Sequence, residues 1–183
     1  MTAMGGIADG AIKPLYSAEA IAARVDQLAQ DIAARRLDDL MVVAVLKGSF
    51  IFAADLIRAL YRHGLKPEID FIYLASYDGE RVSRGEVRVL REVESDLRGR
   101  NVVIVDDILD SGRTLSFAKE LLAEHGAKCV LTCVLVDKQV PRASAITPDF
   151  IGFSCPPVFV VGYGMDLQNR YRELPFIGEL TAP

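Results

Sequence analysis

Basic charge is in short supply. The 183 residues carry 21 Lys and Arg against 25 Asp and Glu, a formal net charge of −4. The net basic excess that a phosphate polymer calls for is missing, so nucleic acid is not an expected partner. Cysteine and histidine are scarce too. Cys129, Cys133 and Cys155 form no CxxC pair, and His63 and His125 are the only histidines. A structural zinc centre needs about four such ligands at short spacing. An odd, unclustered cysteine set fits a reducing, cytoplasmic compartment. No apolar run approaches the roughly 18 residues of a membrane span, and no membrane partner is expected. The N-terminal MTAMGGIADGAIK lacks a long apolar core and is not expected to act as a signal peptide. With no internal repeat, low-complexity tract or evident linker, residues 1–183 read as one domain.

What is present is enough apolar material, 51% of the chain, to fill one core. Ile21, Val25, Leu28 and Ile32 recur at helical spacing behind a capping Ser17, which predicts a helix over Ala18 to Arg36. LMVVAVL, Leu40 to Leu46, is short and valine-rich and predicts a buried strand. A helix over FIFAADLIRALYRH follows, closed by Gly64. EIDFIYLAS, Glu68 to Ser76, reads as a strand, YDGERVSRGE as an exposed loop and EVRVLREV as a returning strand. Strands at Asn101 to Val105 and Lys128 to Asp137 enclose a helix from Thr114 to His125, and DFIGFS and VFVVGYG form two late strands. Alternating strands and helices imply an α/β fold with a mostly parallel sheet and right-handed crossovers.

The most informative stretch is VVIVDDILDSGRTL, Val102 to Leu115. Ligands in open parallel sheets lie beyond the carboxyl ends of the strands, and Asp106 and Asp107 stand at such an end. Adjacent carboxylates can accept from a vicinal diol, as ribose offers, or help hold a hydrated divalent cation. The turn Asp110 to Thr114 then enters a helix. Its free backbone amides and the Ser111 and Thr114 hydroxyls can cradle a phosphate, with Gly112 allowing close approach. The plainer alternative is that Asp110 or Ser111 caps the helix and the acid pair is merely solvated.

This stretch resembles the phosphoribosyl-pyrophosphate signature of the type I phosphoribosyltransferases. VLKGSFIFAADL, Val45 to Leu56, resembles the pyrophosphate loop of their hypoxanthine–guanine members. LASYDGERVSRGEVRV, with Ser76 and Tyr77 at its start, resembles the lid of those members. Leu135 to Gly178 is similar to their base-recognition region. The resemblance spans roughly Leu40 to Gly178 and implies that family's fold: a central mostly parallel sheet flanked by helices, with a small hood of terminal segments.

It also implies roles. Asp106 and Asp107 would bind the ribose hydroxyls, partly through Mg2+, and Asp110 would act as base at purine N7 and also belong to the ribose- and phosphate-binding stretch. Ser111, Gly112, Arg113 and Thr114 would hold the 5′-phosphate, and Lys47, Gly48 and Arg172 the pyrophosphate; the Leu46–Lys47 peptide is often cis in the family. Lys138 would donate to the purine O6 atom, Phe159 and Ile108 would flank the ring, and the Val160 backbone would meet its edge. Asp166 would hold a second Mg2+ and, with Val160, lie at the base-binding end. The implied activity is purine salvage: transfer of the 5-phosphoribosyl group to hypoxanthine, with guanine a further candidate, by a homodimer or homotetramer. The rivals are a xanthine–guanine phosphoribosyltransferase and a regulatory homologue that binds RNA; the net charge, Asp110 and Lys138 speak against the second.

The residues themselves agree on the base. A lysine ammonium only donates, so Lys138 suits a 6-oxo group and opposes the amino group of adenine. Singly, each residue has a bland reading: Lys138 as a strand-end surface lysine, Phe159 as core, Asp166 as a turn acid, and Arg172 as a solvated partner of Glu173. His63 and His125 each precede a glycine and suit helix C-termini. Cys129 and Cys133, four apart on a strand, share one face as small core residues.

Overall fold

The computed structural model describes residues 11–76 and 87–181. Six strands form the main sheet: β2 (Leu40–Leu46), β3 (Glu68–Ser76), β4 (Val87–Arg91), β5 (Asn101–Leu109), β6 (Cys129–Lys138) and β7 (Phe150–Cys155), in the order β4-β3-β2-β5-β6-β7. All neighbours are parallel except β4, which returns antiparallel along β3. A smaller antiparallel sheet, β1-β9-β8, joins β1 (Ile12–Tyr16) and β9 (Ile177–Leu180), from opposite ends of the chain, to β8 (Val160–Val161).

The period-two alternation of the strands builds a core on each face of the main sheet. Along β2, Leu40, Val42 and Ala44 pack to one side and Met41, Val43 and Val45 to the other; along β5, Val103 and Val105 oppose Val102 and Ile104. Helices α1 (Ala18–Ala34) and α2 (Phe50–Arg62) cover the first face with Ile21, Val25, Leu28 and Ile32 and with Phe52, Leu56 and Leu60. Helix α3 (Arg113–Glu124) covers the second with Leu115, Ala118 and Leu122. The Ser17 hydroxyl accepts from Ala20 N, 3.3 Å, as the expected cap of α1. His63 and His125 are the residues that close α2 and α3, and Gly64 and Gly126 follow in left-handed conformation. Cys133 is fully buried, which pushes its thiol pKa up, while Cys129 on the same face is half-buried.

Several boundaries differ from the sequence reading, most of them by a residue or two. Helix α1 stops at Ala34, because Arg36 turns to φ +51°. Strand β5 runs on to Leu109, because β6 keeps pairing with it through Ile108↔Val136 and Leu109↔Asp137. Asp106 and Asp107 therefore belong to the strand, not to the loop beyond it. The late strand expected over VFVVGYG shrinks to Val160–Val161, because Gly162, Tyr163 and Gly164 all adopt positive φ. Strands β1 and β9 had no counterpart in the periodicity; they are five and four residues long, and Pro14 lies within β1. The lid expected from Tyr77 to Gly85 lies outside the described residues.

Candidate active site

β2 and β5 are adjacent and parallel, so their carboxyl ends open side by side and the loops leaving them meet. Gly48 follows β2 and faces Asp107 of β5 so closely that a methyl group on Gly48 would collide with the Asp107 carboxylate. The same loop contains a cis peptide between Leu46 and Lys47. Above the strand ends lies a hollow of about 510 Å³, lined by Gly48, the acid pair, Ile108, Asp110 and the turn through Thr114. A second hollow of about 300 Å³ adjoins it and shares Gly48 and Asp107; Lys47, Asp166 and Arg172 line it.

The acid pair is electrostatically primed for a cation or a set of donors. Asp106 is 7% exposed, and its Oδ1 accepts only a nearby amide, Asp107 N at 3.0 Å, among the described hydrogen bonds. Burial, reinforced by the neighbouring Asp107 carboxylate, holds its pKa well above the usual carboxylate range. Burial also raises Asp107, against the pull of the Arg172 guanidinium. Buried carboxylates without a full set of partners cost free energy that a ligand can recover.

The turn after β5 is held open at the amide end of α3. Gly112 is the N-cap residue at φ +80° and no side chain caps the helix, so neither Asp110 nor Ser111 takes up the first amides. That sets aside the capping alternative and leaves those N–H groups available to an anion. The turn is braced from behind by the 143–146 segment. Ala143 N donates to Ser111 O at 3.0 Å, the Ser116 and Ser144 hydroxyls are hydrogen-bonded, and a Cβ on Gly112 would lie 2.9 Å from Ile146 Cγ2. Arg142 secures this segment by pairing with Asp137, itself buried at the end of β6.

Lys138, the last residue of β6, places its Nζ 3.1 Å from Asp110 Oδ2, and its side chain is only 16% exposed. It is not a free surface lysine. Asp166 does act as a turn acid, accepting from Asn169 N at 2.6 Å, and it also pairs with Arg172 Nη2 at 2.6 Å. Arg172 further donates to Gly164 O, so its partners are Asp166 and the backbone, not Glu173. Phe159, expected by default to be core, is 48% exposed at the head of β8, where its carbonyl accepts from Leu180 N at 2.8 Å. Neither Phe159 nor Val160 lines the two hollows. Ser76 ends β3, and Tyr77 lies outside the described residues.

The structure thus gathers Gly48, Asp106, Asp107, Ile108, Asp110 and the 111–114 turn around one hollow, with Lys138 fastened to Asp110. Lys47, Asp166 and Arg172 meet around the adjoining one. Two contributors were not singled out from sequence: the 142–146 brace and Tyr163, whose flanking glycines in GYG were the available signal for an unusual backbone.

At the carboxyl ends of a parallel sheet stand an acid pair, a turn whose amides are free of a side-chain cap, and a second hollow where Lys47 and Arg172 face Asp107 and Asp166. These are donors and acceptors of the kinds that a phosphorylated, diol-bearing sugar can engage. Residues 11–168 match the phosphoribosyl transferase domain family. The chain is 41% identical over 163 residues to the hypoxanthine phosphoribosyltransferase of Escherichia coli (strain K12), covering 87% of this chain and 90% of the relative. A solved hypoxanthine-guanine phosphoribosyltransferase from Bacillus anthracis, with a HEPES molecule in its active site, superposes with a TM-score of 0.84 at 40% identity. It covers 93% of this chain and all of its own. The hypoxanthine phosphoribosyltransferase of Trypanosoma cruzi in complex with its product IMP gives 0.87 at 32% identity, covering 96% and 97% of the two chains. The chain belongs to the phosphoribosyltransferase family and has the type I fold of those neighbours.

Proposed function

We propose that this chain is a purine-salvage hypoxanthine phosphoribosyltransferase, with guanine a second acceptor. It transfers the 5-phosphoribosyl group of phosphoribosyl pyrophosphate to purine N9, giving IMP or GMP and pyrophosphate. The observation that carries the base assignment is the Lys138–Asp110 pair: a donor and an acceptor fixed 3.1 Å apart. A 6-oxopurine protonated at N7 offers the complementary edge, with O6 accepting from Lys138 and N7–H donating to Asp110. In that form N9 keeps its lone pair and is the nucleophile.

The sugar phosphate is held at both ends. The 111–114 turn, with the exposed Arg113 at its rim, takes the 5′-phosphate, and Asp106 and Asp107 take the ribose hydroxyls. Lys47, the Gly48 backbone and Arg172 take the pyrophosphate. As the bond from the anomeric carbon to pyrophosphate breaks, its electron pair leaves with pyrophosphate, and the N9 lone pair forms the new bond. Asp110 accepts the N7 proton, and Lys138 stays on O6. The neighbouring carboxylates would stabilise the positive charge that grows on the sugar carbon. Ile108 and Phe159 would flank the ring, and the Val160 backbone would meet its edge.

Mg2+ fits this donor set. Among the described residues no three His, Cys, Asp or Glu side chains converge into a complete cage. Mg2+ asks for less, since it usually takes one or two carboxylates and fills its shell with water and substrate oxygens. Asp106 and Asp107 on one side and Asp166 on the other would supply those carboxylates. When bound, the ion would neutralise charge on the departing pyrophosphate.

The protein would work in the cytoplasm as a homodimer or homotetramer. No described helix is long and apolar enough to cross a membrane. The deciding experiment is a steady-state rate comparison with hypoxanthine, guanine, xanthine and adenine, with and without Mg2+. Turnover of hypoxanthine that needs Mg2+ and fails with adenine is expected; a preference for adenine would overturn the reading.

A further inference from the structure

We infer that Tyr163 is a positioning residue for the pyrophosphate half of the site, acting through Asp55 of α2. The inference rests on the proposed function above. Tyr163 lies between Gly162 at φ +99° and Gly164 at φ +102°, and is itself at φ +50°. A tyrosine in left-handed backbone is disfavoured and persists only where its surroundings hold it there. Its surroundings do so on three sides. The Tyr163 amide donates to Leu174 O at 2.9 Å, its ring is packed in the core against the first sheet face at 7% exposure, and its hydroxyl donates to Asp55 Oδ2 at 2.5 Å.

These contacts link two loops that have no sequence connection. Asp55 lies in the second turn of α2, the helix that begins immediately after Lys47, Gly48 and Ser49. Tyr163 starts the segment that carries Asp166 and Arg172, and this segment is closed on itself by Gly164 N donating to Arg172 O at 3.0 Å. The two loops touch at a point with no spare room: a methyl on Gly164 would collide with the Gly48 carbonyl, as one on Gly48 would with Asp107. The order in space is therefore Asp107, Gly48, Gly164, with Arg172 folded back onto Gly164 O. The Tyr163 hydroxyl, held by Asp55, fixes how deeply the Gly164 turn sits on the Gly48 loop, and so the distance between the Lys47–Gly48 amides and the Asp166–Arg172 pair. Asp55 keeps its second oxygen on Arg58, which steadies the acceptor.

Tyr163 lines neither hollow, so it would act only through the Gly164 turn, and its effect belongs to one substrate. Displacing the Gly164 turn disturbs groups that would grip pyrophosphate and leaves Lys138 and Asp110, on β6 and the β5 end, where they are. Tyr163→Phe removes the hydroxyl and keeps the buried ring. The expected result is a KM for phosphoribosyl pyrophosphate, and an inhibition constant for pyrophosphate, raised about tenfold, with the KM for hypoxanthine unchanged. Asp55→Ala should reproduce the effect, the double variant should add little to either single one, and Asp55→Asn, which retains an acceptor, should restore most of the affinity. Melting temperatures of the four variants report folding separately.

The outcomes separate. Wild-type protein that fails to turn over hypoxanthine with phosphoribosyl pyrophosphate overturns both the proposed function and this inference. An active wild type with an indistinguishable Tyr163→Phe variant overturns this inference alone. So does a variant in which both KM values rise together with a fallen melting temperature, since that pattern belongs to a general structural role.

Discussion

The Lys138 ammonium lies 3.1 Å from Asp110 Oδ2 across the gap between the ends of β5 and β6. Each strand end supplies one half of a hydrogen-bonding pair that no single loop could present. If this pair reads the purine edge, Lys138→Met should remove the O6 donor without shortening the side chain much. A hydrogen bond to a charged group contributes about 1.5–3 kcal/mol, so kcat/KM for hypoxanthine should fall by roughly 10- to 150-fold. The preference over adenine should shrink with it. An unchanged base preference would exclude Lys138 from recognition.

Asp110→Asn probes the other half. The amide keeps the size of the side chain but cannot take up the N7 proton. A positioned general base contributes about 10²- to 10⁴-fold, so kcat should fall by that order. Binding of phosphoribosyl pyrophosphate, measured by calorimetry, should be nearly unaffected, since the 111–114 turn is braced by Ala143 and Ser144 and not by Asp110. A variant with normal kcat would remove Asp110 from the chemistry.

Much of this site was legible in the letters because its parts are local. The acid pair, the glycine at the helix start and the turn residues lie within one stretch, and the valine-rich strands state their own burial through alternation. What was not legible depends on long-range pairing. How far β5 continues is decided by β6, which pairs with it residue by residue as far as Leu109↔Asp137. The short strands β1 and β9 exist because they hydrogen-bond each other across nearly the whole chain, with Ile12 opposite Leu180. GYG closes a stretch, VFVVGYG, that reads as one strand, yet the positive φ at all three residues ends β8 after two residues. The exposure of Phe159 was likewise hidden, since valines on both sides are the usual mark of core.

Gly48 offers a test of the close packing itself. Gly48→Ala places a methyl group well inside contact distance of Asp107 Oδ2, on an acid carried by β5, so the loop or the carboxylate must shift. Overpacking of this kind costs about 1–3 kcal/mol, and moving the loop that would carry pyrophosphate relieves it. If that cost falls on binding, affinity for phosphoribosyl pyrophosphate should drop by about 5- to 150-fold, with a lowered melting temperature. Wild-type affinity in this variant would show that the loop's position is not set by that contact.

Stability should depend on pH through Asp70, away from the chemistry. This buried carboxylate at the start of β3 accepts from Phe71 N at 2.7 Å, Glu94 N at 3.0 Å, Ser95 N at 2.9 Å and Ser95 Oγ at 2.8 Å, tying the segment after β4 to the sheet. Desolvation pushes its pKa up, but these donors outweigh it and hold the carboxyl below its usual value. A depressed folded-state pKa means that the stabilisation is fully present above the unfolded value, about 3.9, and is lost as pH falls through the folded one. Asp70→Ala leaves four donors without their acceptor and should cost about 1–3 kcal/mol at neutral pH, read from the urea midpoint. Below about pH 4 the wild type should lose its advantage, so the two unfolding curves should draw together as Asp70 protonates. A gap that stays constant from neutral pH into that acid range would show that the ionised carboxylate is not what holds the segment in place.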